Sequence, residues 1–128
     1  MISVLMSIYN ESINEIRQSI DSIIGQTYSD FELIVVIDQP SYKDAQLLLE
    51  WYVSKDVRIR YFVNKQNIGL ALSMNFAAEQ AKGEFLLRMD ADDICLKDRF
   101  QLQYDSIITG KYDLVCGSYK YIDEKREE

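Results

Sequence analysis

The segment from Phe31 to Ile37 restricts the possible folds more than any other stretch of the chain. It reads Phe-Glu-Leu-Ile-Val-Val-Ile, and Asp38 and Pro40 end the apolar run. A run of this length is usual for a strand, and one with almost no polar residue is typical of a parallel strand that is covered on both faces. We therefore expect a parallel sheet that lies between helices.

The remaining chain alternates strand-like and helix-like segments. Apolar or alternating runs between turn residues indicate strands, and apolar residues spaced three and four apart indicate helices. The predicted strands are Ile2 to Ile8, Phe31 to Ile37, Val57 to Val63, the run from Phe85 to Asp90, and Asp113 to Ile122. The predicted helices are Ile13 to Gly25, a segment after Ser41 that ends at Lys55, Leu70 to Ala81, and Lys97 to Thr109. Asp123 to Glu128 is a charged tail, which we expect to be frayed.

This order of elements predicts one α/β domain over residues 1–128. We expect a mostly parallel, Rossmann-like sheet of five strands with right-handed crossovers and helices on both faces. The third strand alternates apolar and polar residues, which is typical of an edge strand. Ligands of such sheets bind beyond the carboxyl ends of the strands. Three polar groups stand at such ends: Tyr9 to Ser12, Asp38, and Asp90 to Asp93.

Local signals also predict where the helices begin and end. Ser12 followed by Glu15 is a capping-box pattern at the start of the first helix. Ser41 and Asp44 predict a second cap. Gly83 stands at the position expected for the C-cap of the third helix.

The run from Phe85 to Asp93 delivers three carboxylates, Asp90, Asp92 and Asp93, to the end of one predicted strand. Carboxylates this close repel one another unless a positive charge lies between them, and a hard divalent cation is the usual solution. A solvated turn or a helix N-cap is the alternative. An EF-hand calcium loop is excluded, because counting from Asp90 it requires Gly and Glu where Cys95 and Gln101 stand.

The composition excludes several classes of function. The net charge is −7 with no long basic run, so nucleic acid is not an expected partner. The absence of histidine excludes histidine zinc sites and Ser-His-Asp triads. Cys95 and Cys116 have no paired spacing, so we expect free thiols and a reducing, cytoplasmic location. No apolar stretch is long enough to span a membrane. No glycine-rich phosphate loop occurs either, so we expect a metal to neutralise any bound phosphate.

Taken together, these motifs resemble the nucleotide-sugar-binding, N-terminal part of an inverting family-two glycosyltransferase with the GT-A fold. The resemblance covers nearly the whole chain, and the acidic motif is the family's D-x-D. The residues that carry it are Val4 to Glu11, Ser22 to Tyr28 with the pair Gln26-Thr27, Phe31 to Asp38, Asn67 and Gly69, Asn75, Gly83-Glu84, and Asp90-Ala91-Asp92-Asp93.

The resemblance implies a role for each of these site residues. The ring of Tyr9 would pack on a uracil with Ser7 beside it, Asp38 would accept from the uracil N–H, and Asp90 would bind the ribose. Asp92 would ligate a Mn²⁺ or Mg²⁺ ion that bridges the two phosphates. The full nucleotide-binding set would be Ser7, Tyr9, Glu11, Asp38, Asn67, Asp90 and Ala91.

Two departures from the family pattern concern the base-binding side. The family usually has proline where Ser7 stands, and an acidic pair followed by Gly-Ser where Ile37-Asp38-Gln39-Pro40 stands. Arg88 lies within the apolar strand before the acids, where pairing with an acid and contact with the donor phosphates are both open.

The implied activity is metal-dependent, inverting transfer of a sugar from a nucleotide-sugar, most simply a UDP-sugar, to an acceptor hydroxyl. In the family the general base and the acceptor pocket follow the fifth strand, so we expect this chain to hold the donor site and to be inactive alone. The acceptor would be a saccharide or a lipid-linked saccharide, with the intact enzyme cytoplasmic or peripheral at the inner membrane. Loss of the covering segments would also favour self-association.

Three alternatives belong to other classes. A phosphoacceptor receiver domain shares the length and the alternation, but it needs an acidic pair where Tyr9-Asn10-Glu11 stands. A haloacid-dehalogenase-type phosphatase also uses Asp-x-Asp, with the first Asp as nucleophile, but on its first strand. A nonenzymatic binding module is the third. Selective nucleotide binding would favour the transferase, and trapping by a phosphate mimic would favour the first two.

Overall fold

A computed structural model describes residues 1–122, and the predicted tail Asp123 to Glu128 lies outside the described residues. The described part is an α/β structure in which one parallel sheet has the strand order β3-β2-β1-β4. The predicted fold class is confirmed. The strands are β1 (Ile2–Ile8), β2 (Phe31–Ile37), β3 (Ile59–Val63) and β4 (Phe85–Arg88), and the helices are α1 (Ile13–Ile24), α2 (Lys43–Lys55), α3 (Leu70–Glu79) and α4 (Arg99–Ile107).

The two central strands, β1 and β2, are the most buried ones. All seven residues of β2 are buried, as its unbroken apolar run predicts. β3 lies at an edge of the sheet, which confirms the prediction from its alternating pattern. This strand begins two residues later than predicted, because Val57 is 98% exposed and belongs to the turn before it.

Helices cover both faces of the sheet, as predicted. Helices α1, α2 and α4 pack on one face through a large apolar cluster, and α3 packs on the other face through a second cluster. On the first face the central side chains are Val4, Met6, Ile8, Leu33, Val35 and Ile37 from the sheet with Ile20, Leu49 and Phe100 from the helices; on the second they are Leu5, Ile34, Val36 and Ala77.

The predicted N-cap of α1 is present, whereas the predicted N-cap of α2 is not. The capping box is present, with Ser12 Oγ accepting from the Glu15 N–H and the Glu15 carboxylate accepting from the Ser12 N–H. The predicted Ser41 cap is wrong, because α2 begins at Lys43 with Tyr42 as its N-cap residue, so Ser41 lies one position before the cap. The Ser41 hydroxyl donates to Gln39 Oε1 instead.

Gly83 does not end α3 as predicted. The helix ends at Glu79 with Gln80 as its C-cap. A Cβ atom at Gly83 would lie 2.6 Å from the Met1 carbonyl oxygen and 2.6 Å from Ser3 Oγ, so the glycine is required by close backbone approach. Its N–H donates to Ser3 Oγ at 2.8 Å.

A buried carboxylate connects three strands near their amino ends. Glu32 of β2 accepts from Ser3 Oγ at 2.7 Å, from the Lys82 N–H at 2.6 Å and from the Arg60 guanidinium at 2.7 Å. Burial alone would raise the pKa of Glu32, but the hydrogen bonds from Ser3 and Lys82 and the contact with Arg60 outweigh it and hold this pKa below its usual value. The carboxylate therefore stabilises the fold in its ionised form.

The predicted fifth strand, Asp113 to Ile122, is wrong. These residues are all described and form no strand, so the described sheet has four strands instead of five. Leu114, Tyr119 and Tyr121 are largely exposed, which shows that the apolar alternation here has no covered face. Helix α4 is shorter than predicted by two residues at each end. Among residues 1–122, no helix is both long and apolar enough to cross a membrane.

Candidate functional site

Three polar segments follow the carboxyl ends of the strands, as the sequence predicts. β1 lies between β2 and β4, with Ile8 level with Ile37 and Leu5 level with Arg88. Because all strands run parallel, the segments after β1, β2 and β4 leave from the same edge of the sheet. This edge is the position where open α/β sheets bind their ligands.

The acids after β4 form a compact cluster. Asp90, Asp92 and Asp93 each offer one carboxylate oxygen, and these oxygens lie within 4.8 Å of one another. Asp90 is partly buried, whereas Asp92 and Asp93 are exposed. Three hard oxygen donors at this spacing are suited to a divalent cation such as Mg²⁺, Mn²⁺ or Ca²⁺. Asp92, the predicted metal ligand, is therefore placed where it can ligate an ion together with its two neighbours.

The residues around the acids have distinct environments. Arg88 pairs with Asp90, with the guanidinium 3.2 Å from Oδ1, so its side chain partners an acid of the cluster. Ala91 is 2% exposed and lies in the core, so its predicted contact with a nucleotide stays a prediction. The Arg99 guanidinium donates to the Arg88 carbonyl oxygen at 3.3 Å. Two arginines thus border the acidic segment.

The segment after β1 is shaped by its own side chains. Glu11 accepts from the Tyr9 N–H at 3.0 Å, and the Glu11 carbonyl accepts from the Tyr42 hydroxyl at 2.5 Å. The Tyr9 ring is 45% exposed, which leaves a face available for stacking. Ser7 is half-buried within β1. Glu11 therefore holds the backbone of this loop, and the contact of Tyr9 with a base stays a prediction.

Asp38 is surrounded by donors from a single loop. It is 2% exposed, and its Oδ1 accepts from Asn64 Nδ2 and from the Ile68 N–H, both at 2.8 Å. Its Oδ2 accepts from Asn67 Nδ2 and from the Gly69 N–H, both at 2.9 Å. A uracil N–H would have to share or replace one of these four donors. The uracil contact stays a prediction, and the carboxylate visibly shapes the loop before α3.

The sequence reasoning included Asn67 but missed Asn64. Asn64 Nδ2 donates both to Asp38 and to the buried Ser73 Oγ, the latter at 3.0 Å, and so connects the loop to α3. The available signal was Asp38 itself, because a carboxylate that ends a fully buried strand needs several donors. Gly69 adopts φ of +91°, which explains a glycine at the helix start.

A family model shows to which protein family this chain belongs. The family model described as "Glycosyl transferase family 2" matches residues 3–128. The chain belongs to glycosyl transferase family 2. An uncharacterised glycosyltransferase of Methanocaldococcus jannaschii is 37% identical over 125 residues, which are 97% of this chain and 43% of that protein. This family-two chain therefore spans less than half the length of that relative.

Solved structures of related proteins have the same fold. The family-two chain resembles S. aureus TarS 1–349 in complex with UDP-GlcNAc, with a TM-score of 0.74 and 29% identity over 84% of this chain and 31% of that one. It also resembles a mannosyltransferase from Pyrobaculum calidifontis in complex with GDP-Man and Mn²⁺, with a TM-score of 0.65 and 25% identity over 73% and 28% of the two chains. The resemblance to the N-terminal part of a family-two, GT-A-type protein is confirmed.

Proposed function

We propose that this chain binds the nucleotide-sugar donor, most simply a UDP-sugar, of a metal-dependent, inverting glycosyltransferase. The observation that carries the proposal is the cluster of three carboxylate oxygens within 4.8 Å at the carboxyl edge of a family-two sheet. The complexes of the two similar proteins, one with UDP-GlcNAc and one with GDP-Man and Mn²⁺, support a nucleotide-sugar and a metal. Family membership also favours the transferase over the receiver and phosphatase alternatives.

The donor set fits a hard divalent cation. Asp92 is the proposed ligand, with Asp93 and Asp90 within reach of the same ion. A bound Mn²⁺ or Mg²⁺ would stabilise the negative charge that develops on the departing nucleoside diphosphate. Asp90 would also bind the ribose, and its carboxylate pairs with Arg88.

The residues of β1 and β2 would form the nucleoside side of the site. The half-exposed Tyr9 would stack on the base with Ser7 beside it, and the Glu11 carboxylate accepts from the Tyr9 N–H. Asp38 holds the loop that contains Asn67, so this loop meets the nucleotide in a fixed shape. In an inverting reaction, an acceptor hydroxyl attacks the anomeric carbon from the face opposite the diphosphate after a base removes its proton. None of residues 1–122 is assigned as that base.

The remaining proposals concern the whole protein. We propose a saccharide or lipid-linked saccharide as the acceptor and a cytoplasmic location, peripheral at the inner membrane when the acceptor is lipid-linked. Cys95 and Cys116 are both free thiols, as a reducing compartment favours.

Calorimetric titration of the chain with UDP tests the proposal directly. Metal and nucleotide should each strengthen the binding of the other, because a diphosphate meets a cluster of carboxylates only when a cation separates them. We expect UDP to bind in Mn²⁺ and to bind much more weakly in a chelator, with adenosine diphosphate as the nucleotide control. Equal UDP affinity with and without metal would reject the metal assignment and favour a solvated turn at Asp90 to Asp93.

A further inference from the structure

One face of α1 carries polar side chains where an apolar face would be expected. Ser19 and Ser22 are three residues apart and lie along one side of α1. Gln26 follows the C-cap Gly25, and its Nε2 donates to the Ser22 carbonyl at 3.1 Å. Ser19 is fully buried and Gln26 is 7% exposed. Burying polar groups costs free energy unless they are hydrogen-bonded, so their partners indicate their role. We call these three residues the α1 polar row.

The partners of the row lie at the two ends of the acidic cluster. At its first residue, Ser19 Oγ donates to the Asp90 carbonyl oxygen at 3.0 Å. After the cluster, Ser22 Oγ accepts from the Cys95 N–H at 3.1 Å and donates to the Ser19 carbonyl at 2.7 Å. The segment that carries the acids is therefore attached to α1 at its first residue and again just after its last.

Gln26 makes the most extensive set of these contacts. Its Nε2 donates to the Leu96 carbonyl at 2.7 Å and also contacts Cys95 Sγ at 3.2 Å. Its Oε1 accepts from the Phe100 N–H at 3.0 Å, in the first turn of α4. Helix α4 has no side-chain cap of its own, so Gln26 satisfies one of its free N–H groups from the segment that follows α1. Beside it, the Thr27 N–H donates to the Lys97 carbonyl at 2.9 Å.

The acidic segment needs such outside support. Between the end of β4 at Arg88 and the start of α4 at Arg99 there is no helix or strand, and the internal backbone bond from the Asp93 N–H to the Asp90 carbonyl is 3.2 Å long. Three carboxylates within 4.8 Å of one another repel, and Arg88 pairs with Asp90, so fixed ends help to keep the three oxygens at this spacing.

We infer that the α1 polar row is a set of positioning residues that holds Asp90, Asp92 and Asp93 in the spacing needed to bind a divalent cation. The inference rests on the proposed metal site and adds to it the residues that determine the affinity of that site without touching the ion. Residues that orient metal ligands from behind change metal affinity by about 10–100-fold when mutated. A purely structural role would lower stability and leave the affinity of the folded chain unchanged.

The test is a titration of the chain with Mn²⁺, in which electron paramagnetic resonance measures the bound ion. The temperature is kept well below the melting temperature of every variant. We expect Gln26→Met to weaken Mn²⁺ binding by about 10–100-fold, because it keeps the side-chain length and removes all the hydrogen bonds. Gln46→Met is the matched control: Gln46 Nε2 also donates to a carbonyl, that of Pro40, at 3.0 Å, but from α2. Its Mn²⁺ affinity should equal that of the parent.

A second pair of variants keeps the test decisive if Gln26→Met does not fold. Ser22→Ala removes the acceptor of the Cys95 N–H and should weaken Mn²⁺ binding by about tenfold, whereas Ser22→Thr keeps the hydroxyl and should restore it. Faster hydrogen exchange of the Cys95 N–H in Ser22→Ala would show that the loss of Mn²⁺ affinity comes with a loosened attachment at Cys95. Parent-like affinity in the variants of the row would overturn this inference alone. Failure of the parent to bind Mn²⁺ would overturn the proposed metal site and this inference with it.

Discussion

Replacing Asp92 should weaken metal binding and leave the stability of the fold almost unchanged. Asp92 is exposed, so its replacement costs little stability, yet its oxygen belongs to the three-carboxylate cluster. For the parent, UDP with Mn²⁺ at about one hundred times the dissociation constant should stabilise the fold by about 2.7 kcal/mol. For a chain of this size that is a melting shift of roughly 5–15 °C.

Asp92→Asn should therefore lose most of this melting shift while keeping the melting temperature of the free chain. Differential scanning fluorimetry with Mn²⁺ and UDP, and with a chelator, measures both quantities. Asp98→Asn is a suitable control, because Asp98 follows the same strand but lies outside the cluster. A parent-like shift in Asp92→Asn would show that this carboxylate is not a ligand.

Asp38 differs from Asp92 because its carboxylate is buried and accepts four hydrogen bonds. Asp38→Asn replaces one acceptor oxygen with an amide that faces donors, so we expect a loss of about 1.5–3 kcal/mol in the free energy of unfolding. Urea unfolding measures this loss. Asp30→Asn, at an exposed pair with the N-terminus, should cost about 1 kcal/mol or less. A stable Asp38→Asn variant with weakened uridine binding would instead support the direct base contact.

Among the secondary-structure elements, the linkage of β1, β2 and β3 through Glu32 predicts how stability depends on pH. The pKa of Glu32 is lowered in the folded chain, so the carboxylate contributes stability above the pKa of an unfolded glutamate, and this contribution is lost as the pH falls through the folded value. Asp56, whose pKa is lowered by hydrogen bonds from Arg58, acts in the same direction.

Glu32→Gln should therefore be less stable than the parent at neutral pH and should lose less of its stability between about pH 5 and pH 3. Chemical unfolding at a series of pH values provides the comparison. Part of the acid sensitivity should remain in this variant, because Asp56 is unchanged. Parallel curves for the variant and the parent would show that the Glu32 contacts do not favour its ionised form.

The same elements show which features a sequence can predict. The apolar run of β2 and the capping box of α1 are local signals, and both are confirmed. The alternation in Asp113 to Ile122 is equally local, but a strand also needs a hydrogen-bonding neighbour, and these residues have none in the described sheet. The donors to Asp38 lie 26 to 31 positions further along the chain. No short pattern encodes such distant contacts, so the acids were predictable and their supports were not.

For the whole molecule, the position of β4 at the edge of the described sheet bears on self-association. In residues 1–122 its outer edge has no paired strand, and Leu86 on it is 56% exposed. Unprotected edges of this kind pair with other chains. We expect the isolated chain to dimerise or to form larger species in a concentration-dependent way.

Sedimentation equilibrium tests this expectation. Leu86→Lys should shift the chain toward the monomer, because a charge on an edge strand opposes pairing. Leu47→Lys, at an exposed leucine of α2, should leave the association unchanged. A concentration-independent monomer for the parent would contradict the prediction.

The attachment of the acidic segment to α1 also has a consequence for the order of folding. Ser19 and Asp90 are 71 positions apart, and Gln26 and Phe100 are 74 apart, so these bonds close long loops. Contacts of such separation form after the entropy of closing the chain has been overcome by the sheet. We expect Ser19→Ala to accelerate unfolding and to leave the refolding rate nearly unchanged in stopped-flow experiments. The acidic segment would then become ordered after the sheet has formed, and it would be released before the sheet during unfolding.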